Sequence, residues 1–477
     1  MAYILSIDIG TSRVKAALID AAGKLLHLES RSVNRSQSPD TQLVEEWYML
    51  AAECIQILMK NTAIRPDVIA LTGNMHALLC LDAKGQPLAP AELWCSNSAT
   101  AESDELNRRY GKEILQRTGN PVTPVFTLPK LLRMKNYTPE MYQNTAVFLQ
   151  VKDYIAYRLT GNIVSDGTDS SGTLLYRLDT LQWDDELIAA LGLHREKFPD
   201  VIPSASICGN VNKTAHEETA LPQGTPVVIG SGDLASAALG AGTDTETLSL
   251  TLGTAGQLLA VGERKKYPAL AGKLFAFVHA DPEVDLYLGS VPGGGFSFEW
   301  LSQNMFHCAI GDYFKTALNS NAETLPVFMP YLLGRGAPYM DYTPCAAWHD
   351  LTAYHTDADM MKGGIYGVLS ALRQSCDLLE ELIHPFRKTV MQSLANRETI
   401  VRNSANALWN KWQNEIPLNP EASLLGAAII GAVAMKIHPS FAVARKQMVH
   451  TQAIGNSPAL DVKQAEEYYR RYRRYAD

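Results

Sequence analysis

Hydrophobic residues at the start of the chain fall in two short runs. Tyr3–Ile9 reads Tyr-Ile-Leu-Ser-Ile-Asp-Ile and Val14–Ile19 reads Val-Lys-Ala-Ala-Leu-Ile, with Gly10-Thr11-Ser12 between them and Asp20-Ala-Ala-Gly-Lys24 after. Apolar runs this short, bounded by turn-forming residues, predict two strands around a tight Gly-Thr turn and a second turn beyond. About half the chain later the plan returns: Thr247–Leu252 alternates Thr-Leu-Ser-Leu-Thr-Leu, Gly253-Thr254-Ala255-Gly256 supplies the turn, and Gln257–Val261 resumes the strand. Two equivalent strand-turn-strand starts predict a duplicated domain. Between them Val68–Thr72 and Val227–Ile229 read as buried strands and Thr127–Met134 as the opening of a helix, an alternation that indicates α/β layers. Further on, Lys362–Leu382 is apolar at helical spacing and Leu424–Met435 is small and apolar all round, so both read as buried helices. The interleaved Tyr and Arg of Glu466–Asp477 predict a surface helix with a solvated face.

Length turns this pattern into two domains, because 477 residues exceed what one hydrophobic core organises. The expected division is 1–243 and 244–477. A net charge of -8 argues against nucleic acid, whose phosphates need a basic footprint. The N-terminus has no basic leader and carries Asp8 within its apolar run, and no stretch approaches a membrane span. Seven widely spaced cysteines without a Cys-x-x-Cys pair fit reduced thiols in the cytoplasm.

The candidate chemistry sits at the turns. A Gly-Thr turn aims consecutive N–H groups and a hydroxyl at one point, which suits a phosphate, and two such turns at Gly10-Thr11-Ser12 and Gly253-Thr254 make a two-sided clamp. No Walker A sequence occurs, and Gly230-Ser-Gly-Asp233 lacks the third glycine of a dinucleotide fingerprint. Asp8 and Asp233 each stand beside glycines that leave a carboxylate approachable, although Asp233 would equally suit the N-cap of a helix over Leu234–Leu239. His76, in Gly73-Asn-Met-His-Ala77, is placed to donate to a hydroxyl or to serve the structure. His349, Asp350 and His355 have no metal-ligand spacing.

Taken in order, the motifs resemble the FGGY family of carbohydrate kinases, nearest its xylulose kinase branch. They are Ile7–Ser12 with Lys15, Gly73–His76, Leu93-Trp94 after the turn Asp82–Pro87, Thr118–Pro124 with Leu128–Leu132, Lys152–Tyr154 with Arg158–Gly161, Asp166, Ser170–Thr173, Gly230–Asp233, Leu252–Thr254, Pro330–Gly334 and Glu421–Ala428. The resemblance implies two actin-like, ribonuclease-H-like domains around a central cleft, sugar on the N-terminal side and ATP with Mg²⁺ on the C-terminal side. It implies Asp233 as the base that takes the proton of the attacking hydroxyl and Asp8 and Asp233 as holders of Mg²⁺. It also implies Met75, His76, Trp94 and Asp233 around the sugar, and Thr11, Ser12, Lys15, Gly253, Thr254 and Asn403 around the phosphates and nucleotide.

Two departures from the family pattern stand out. After the tryptophan the family reads a polar residue, Asp, a variable residue and Arg, whereas Cys95-Ser96-Asn97-Ser98 follows Trp94 here. The family's Gly-Gly-Gly-Ala nucleotide loop aligns with Val401-Arg402-Asn403-Ser404, ahead of a helix shortened before Ile416-Pro417, and side chains there restrict close approach of adenosine. The expectation is a cytoplasmic kinase for a small sugar or polyol, pentulose-like, with a homodimer admitted as its assembly. The alternative is a catalytically weak sugar-binding or regulatory protein on the same fold.

Overall fold

The computed structural model describes residues 2–34, 38–264, 272–392, 399–455 and 458–476. Two mixed sheets organise it. The first is built from β1 (Tyr3–Ile9), β2 (Arg13–Asp20), β3 (Leu25–Ser32), β4 (Val68–Gly73), β5 (Ile207–Asn210) and β6 (Pro226–Gly232), in the order β3-β2-β1-β4-β6-β5. The second is built from β7 (Thr247–Leu252), β8 (Gly256–Glu263), β9 (Phe275–Val278), β10 (Val284–Val291), β11 (Lys388–Met391), β12 (Gln413–Pro417) and β13 (Thr451–Ala453), in the order β9-β10-β8-β7-β11-β12-β13. In each, three antiparallel strands (β3-β2-β1 and β10-β8-β7) give way to two parallel partners (β4, β6 and β11, β12) and an antiparallel edge. The duplication read from the two Gly-Thr turns is thus a repeat of whole sheets, and the fold is α/β of the actin-like, ribonuclease-H-like kind.

The apolar runs are nearly continuous because both faces of the first sheet are covered. Leu5, Ile7, Ile9, Ile69, Leu71, Val227 and Ile229 point to one core, shared with α1 (Val44–Asn61) and α3 (Val151–Thr160). Their neighbours Ile4, Val68, Ala70 and Val228 point to another, filled by α8 (Ala422–Ala434) and α9 (Phe441–Met448). Helix α2 is Thr127–Tyr137, α4 the short Gly167–Ser171, α5 Asp233–Gly240, α6 Asp357–Leu382, α7 Thr399–Leu408 and α10 Ala459–Ala476. Packing crosses the expected division at 243/244, since α8 lies against β1, β4 and β6 of the first sheet and crosses α5. That crossing is close enough to need glycine on both helices: a Cβ on Gly240 would stand 1.9 Å from the Ala422 carbonyl oxygen, and one on Gly426 1.8 Å from that of Ser236.

The C-terminal helix differs from expectation. It starts at Ala459, and one face is docked rather than solvated: Tyr468 donates to the Gly363 carbonyl at 2.7 Å, the Tyr472 and Tyr331 hydroxyls meet at 2.6 Å, and Arg471 donates to the Leu325 carbonyl at 2.7 Å. Tyrosine rings supply the buried area and their hydroxyls find partners, which a reading of the residues as solvated overlooks. Among the described residues no helix is long and apolar enough to cross a membrane.

Candidate active site

The parity that builds the first sheet also places the carboxylates. Asp8 shares the α8 side of β1 with Ile4 and Ser6, but sits at the strand's carboxyl end, opposite Lys15 of β2. Asp233 follows the carboxyl end of β6, two strands away in the sheet. Gly230 makes that end possible. Its φ of +72° breaks the β6–β4 register between Val228 and Ser231, and a Cβ there would lie 1.7 Å from the Leu71 carbonyl oxygen. Crevices beyond the carboxyl ends of parallel strands are where open α/β sheets bind ligands.

Burial raises both carboxyls. Asp8 is pushed up to about 6 by desolvation, with Lys15 opposing and Glu421 adding to the rise. Asp233 is pushed up to about 7 by desolvation and then by the charge of Asp8, so the two groups feel one another across the crevice. The N-cap position of α5 belongs to Gly232; Asp233 is the first helical residue, which corrects the capping alternative. Two half-buried carboxylates that raise each other's cost of ionisation fit a divalent cation, and Mg²⁺ in particular takes one or two carboxylates and fills the rest with water and phosphate oxygen. Among the described residues no group of three or more His, Cys, Asp or Glu could hold a metal by itself.

The Gly10–Ser12 turn is closed by Gly10 N–H donating to the Arg13 carbonyl at 3.0 Å, and Trp94 Nε1 donates to Thr11 Oγ1 at 3.0 Å. Lys15 pairs with Glu421, the N-cap residue of α8. In the second sheet the Gly253 N–H donates to the Ala255 carbonyl at 3.0 Å, and the Gly253 and Thr254 carbonyls accept from Gly295 and Phe296, which ties this turn to the helix starting at Gly294.

The loop after β4 is fixed by Asn74, whose backbone and side-chain nitrogens both donate to the Ile9 carbonyl at 2.9 Å. Met75 and His76 are buried, and His76 adopts a left-handed φ of 67°. Lys130 of α2 donates to the His76 and Val125 carbonyls at 2.9 and 2.7 Å and is itself pushed down to about 7 by burial. His76 Nδ1 lies 2.8 Å from the Gly172 carbonyl, and burial lowers it to about 4, so the ring is neutral with its proton on Nδ1. Nε2 is therefore an acceptor, which corrects the expectation that His76 donates to a hydroxyl.

In the loop that lacks the family's Asp and Arg, a carboxylate is present after all, one the sequence reading missed. Glu92, two residues before Trp94, accepts from Ser96 Oγ at 2.7 Å and from Ser98 Oγ. The nucleotide-loop alignment does not survive. Val401–Ser404 lies inside α7, with Val401 and Ser404 buried and Arg402 and Asn403 on the outer side beside a groove of about 540 Å³ shared with Ile416 and Gln452–Gly455. The turn from β11 toward α7 falls in 393–398, outside the described residues.

Comparison with known proteins agrees with this architecture. The model of the N-terminal domain of the FGGY family of carbohydrate kinases matches residues 3–240, and that of its C-terminal domain residues 248–435. A xylulose kinase of Staphylococcus xylosus is 29% identical over 80% of each chain, and one of Bacillus subtilis 26% identical over 99% of this chain and 96% of its own. A ligand-bound xylulose kinase from Lactobacillus acidophilus superposes with a TM-score of 0.91 at 22% identity, covering 100% of this chain and 98% of that one. A gluconate kinase from the same organism superposes with the same score and identity, covering 99% and 97%.

Proposed function

The chain belongs to the FGGY family of carbohydrate kinases and is a sugar kinase, and on that premise we propose that it moves the γ-phosphoryl group of ATP to a hydroxyl of a pentulose-like sugar or polyol in the crevice above β1, β4 and β6. The observation that carries this reading is the pair Asp8 and Asp233 at the carboxyl ends of β1 and β6.

In this reading Asp233 takes the proton of the attacking hydroxyl. Its value of about 7 suits the task, because a base works best when its pKa lies near the working pH. The N–H groups and hydroxyls of Thr11, Ser12 and Thr254 donate to phosphate oxygens, where charge spreads in phosphoryl transfer, and Gly253, its own N–H taken by the Ala255 carbonyl, lets the phosphate approach the turn. Lys15 joins them by leaving Glu421. Asp8 and Asp233 would hold Mg²⁺, which would supply positive charge to offset that of the phosphate oxygens. Met75, His76 and Trp94 border the sugar, with His76 Nε2 accepting from one hydroxyl. The seven cysteines, none of them in a disulfide, support a cytoplasmic setting. The alternative, a catalytically weak sugar-binding protein, rests on side chains in place of the family's nucleotide-loop glycines; Val401–Ser404 lies in a helix, and positions 393–398 before it carry no glycine either.

The test is turnover of Asp233→Ala on a panel of pentuloses, hexuloses, aldonates and polyols with ATP and Mg²⁺. Loss of about 10²–10⁴-fold is expected, with the thermal unfolding midpoint of the variant close to that of the parent. Parental turnover would remove Asp233 from the mechanism.

A further inference from the structure

Beneath the sugar loop and the end of β6 lies a buried charged cluster that the reaction as described does not use. Lys152 of α3 places its ammonium 2.7 Å from Asp153, 2.9 Å from Asp166 and 3.1 Å from Asp169, and none of the four side chains is more than 1% exposed. One cation does not neutralise three carboxylates, and burial holds Asp169 well above the usual carboxylate range. Replacing buried ion pairs by apolar groups of the same volume is often neutral or stabilising, so stability is a weak reason for such a cluster and its geometry a stronger one.

Asp166 Oδ2 accepts from Thr168 N–H at 3.0 Å, from Thr168 Oγ1 at 2.7 Å and from Ser204 Oγ at 2.6 Å. Thr168 Oγ1 in turn accepts the N–H of Gly232 at 2.8 Å, the residue just before Asp233. Gly232 has no room to shift toward the cluster: a Cβ there would stand 2.7 Å from Met75 Cγ and 3.1 Å from Asp169 Oδ1. The same short helix holds the sugar loop, through Gly172 and His76, and the second half, where Ser171 Oγ accepts from Val278 N–H at 3.2 Å.

We propose that Thr168 is a positioning residue for the base: the series Lys152, Asp166, Thr168 fixes the Gly232 amide and with it the direction in which the Asp233 carboxylate enters the crevice. The inference rests on the reading of Asp233 as base. A hydroxyl hydrogen-bonded to the amide of the residue before the base, and itself locked by a buried carboxylate, adds to the hold that the pairing with Gly73 and the Ser231 hydroxyl already have on Gly232.

The experiment compares Thr168→Val, Thr168→Ser and Asp233→Asn in steady-state kinetics and in calorimetric titration with the best sugar of the panel. Thr168→Val should lower kcat about tenfold to a hundredfold, the cost of misplacing a reacting group by about 1 Å, while KM and sugar affinity stay within about twofold. Thr168→Ser, which keeps the oxygen, should restore most of the rate. Parental kcat in Thr168→Val beside an inactive Asp233→Asn would overturn the positioning role and leave the base in place; turnover in Asp233→Asn would overturn the base and the positioning role together. Should Thr168→Val fail to fold, Ser204→Ala removes another donor to the same Asp166 oxygen, and a kcat lowered severalfold at unchanged KM is then expected, with a parental kcat refuting the inference.

Discussion

Replacing Asp233 by Asn should make the metal-free protein more stable at neutral and alkaline pH, and the size of the gain follows from burial. The unfolded Asp233 loses its proton near its ordinary value of 3.8, the folded one only near 7. Between those values the folded state binds more protons, so raising the pH favours unfolding; the stability lent by the neutral carboxyl is present below about pH 4 and lost as pH rises through about 7. The full interval is worth on the order of 4 kcal/mol. Part of the Asp233 side chain is open to the crevice, and water there returns some of the cost, so we expect about 2 kcal/mol. Asn has the same shape and no charge, and because the Asp8 charge is one cause of the rise at Asp233, removing that carboxylate also eases the ionisation of Asp8 and adds to the variant's lead. The assay is urea unfolding of parent and Asp233→Asn from about pH 5 to about pH 9 in chelator without nucleotide. The variant should already lead at about pH 5, which lies above the unfolded value of 3.8, and the gap should widen toward neutrality and reach its full size above about pH 7. Parallel curves over that range would show that Asp233 is solvated as in the unfolded chain, and would take away the reason for its suitability as a base.

Three further outcomes are expected. Gly426→Ala drives a methyl to within 1.8 Å of the Ser236 carbonyl oxygen and should cost about 3 kcal/mol or more in thermal unfolding, whereas Gly311→Ala, with open space around it, should be neutral or gain about 0.5–1 kcal/mol. Lys130→Met removes the donor that ties the His76 carbonyl to that of Val125, and should raise the KM for sugar several-fold while leaving the KM for ATP unchanged, as initial-rate kinetics would show. Because Cys95–Ser98 lacks the family's Asp and Arg, the best substrate on the panel should differ from D-xylulose, each hydroxyl without its charged partner losing about 1–3 kcal/mol; a wide preference for D-xylulose would mean that Glu92 or another group supplies that charge.

What the sequence made legible is what short-range physics controls. The near-continuous apolar runs of Tyr3–Ile9 and Val227–Ile229 announced strands covered on both sides, and the paired Gly-Thr turns announced the repeat. Residues whose role depends on distant partners were less legible. His76 looked like a donor because its tautomer is set by Gly172, 96 positions away. Lys152 and Asp153 stood in a quoted motif, yet adjacent charges read as surface until four of them meet at zero exposure. Val401–Ser404 was placed in a loop for want of any glycine to mark the true one, although Ile400, Val401, Ser404, Ala405 and Leu408 repeat at helical spacing and are all buried in the structure.

One helix packs across the expected division of the chain and brings residues of its two halves together. Helix α8 follows β12 of the second sheet in sequence, yet its apolar body fills the core beneath β1, β4 and β6 of the first. Its cap residue Glu421 reaches Lys15, and the charge of Glu421 bears on Asp8. An anion that takes Lys15 must displace Glu421, and an ion pair broken by ligand is lost only if the ligand offers more. The glycine contact with α5, whose first residue is Asp233, leaves no slack for α8 to shift alone. Lys15, through Glu421 and the close crossing of α8 with α5, is thus linked by direct packing to the helix that carries the proposed base.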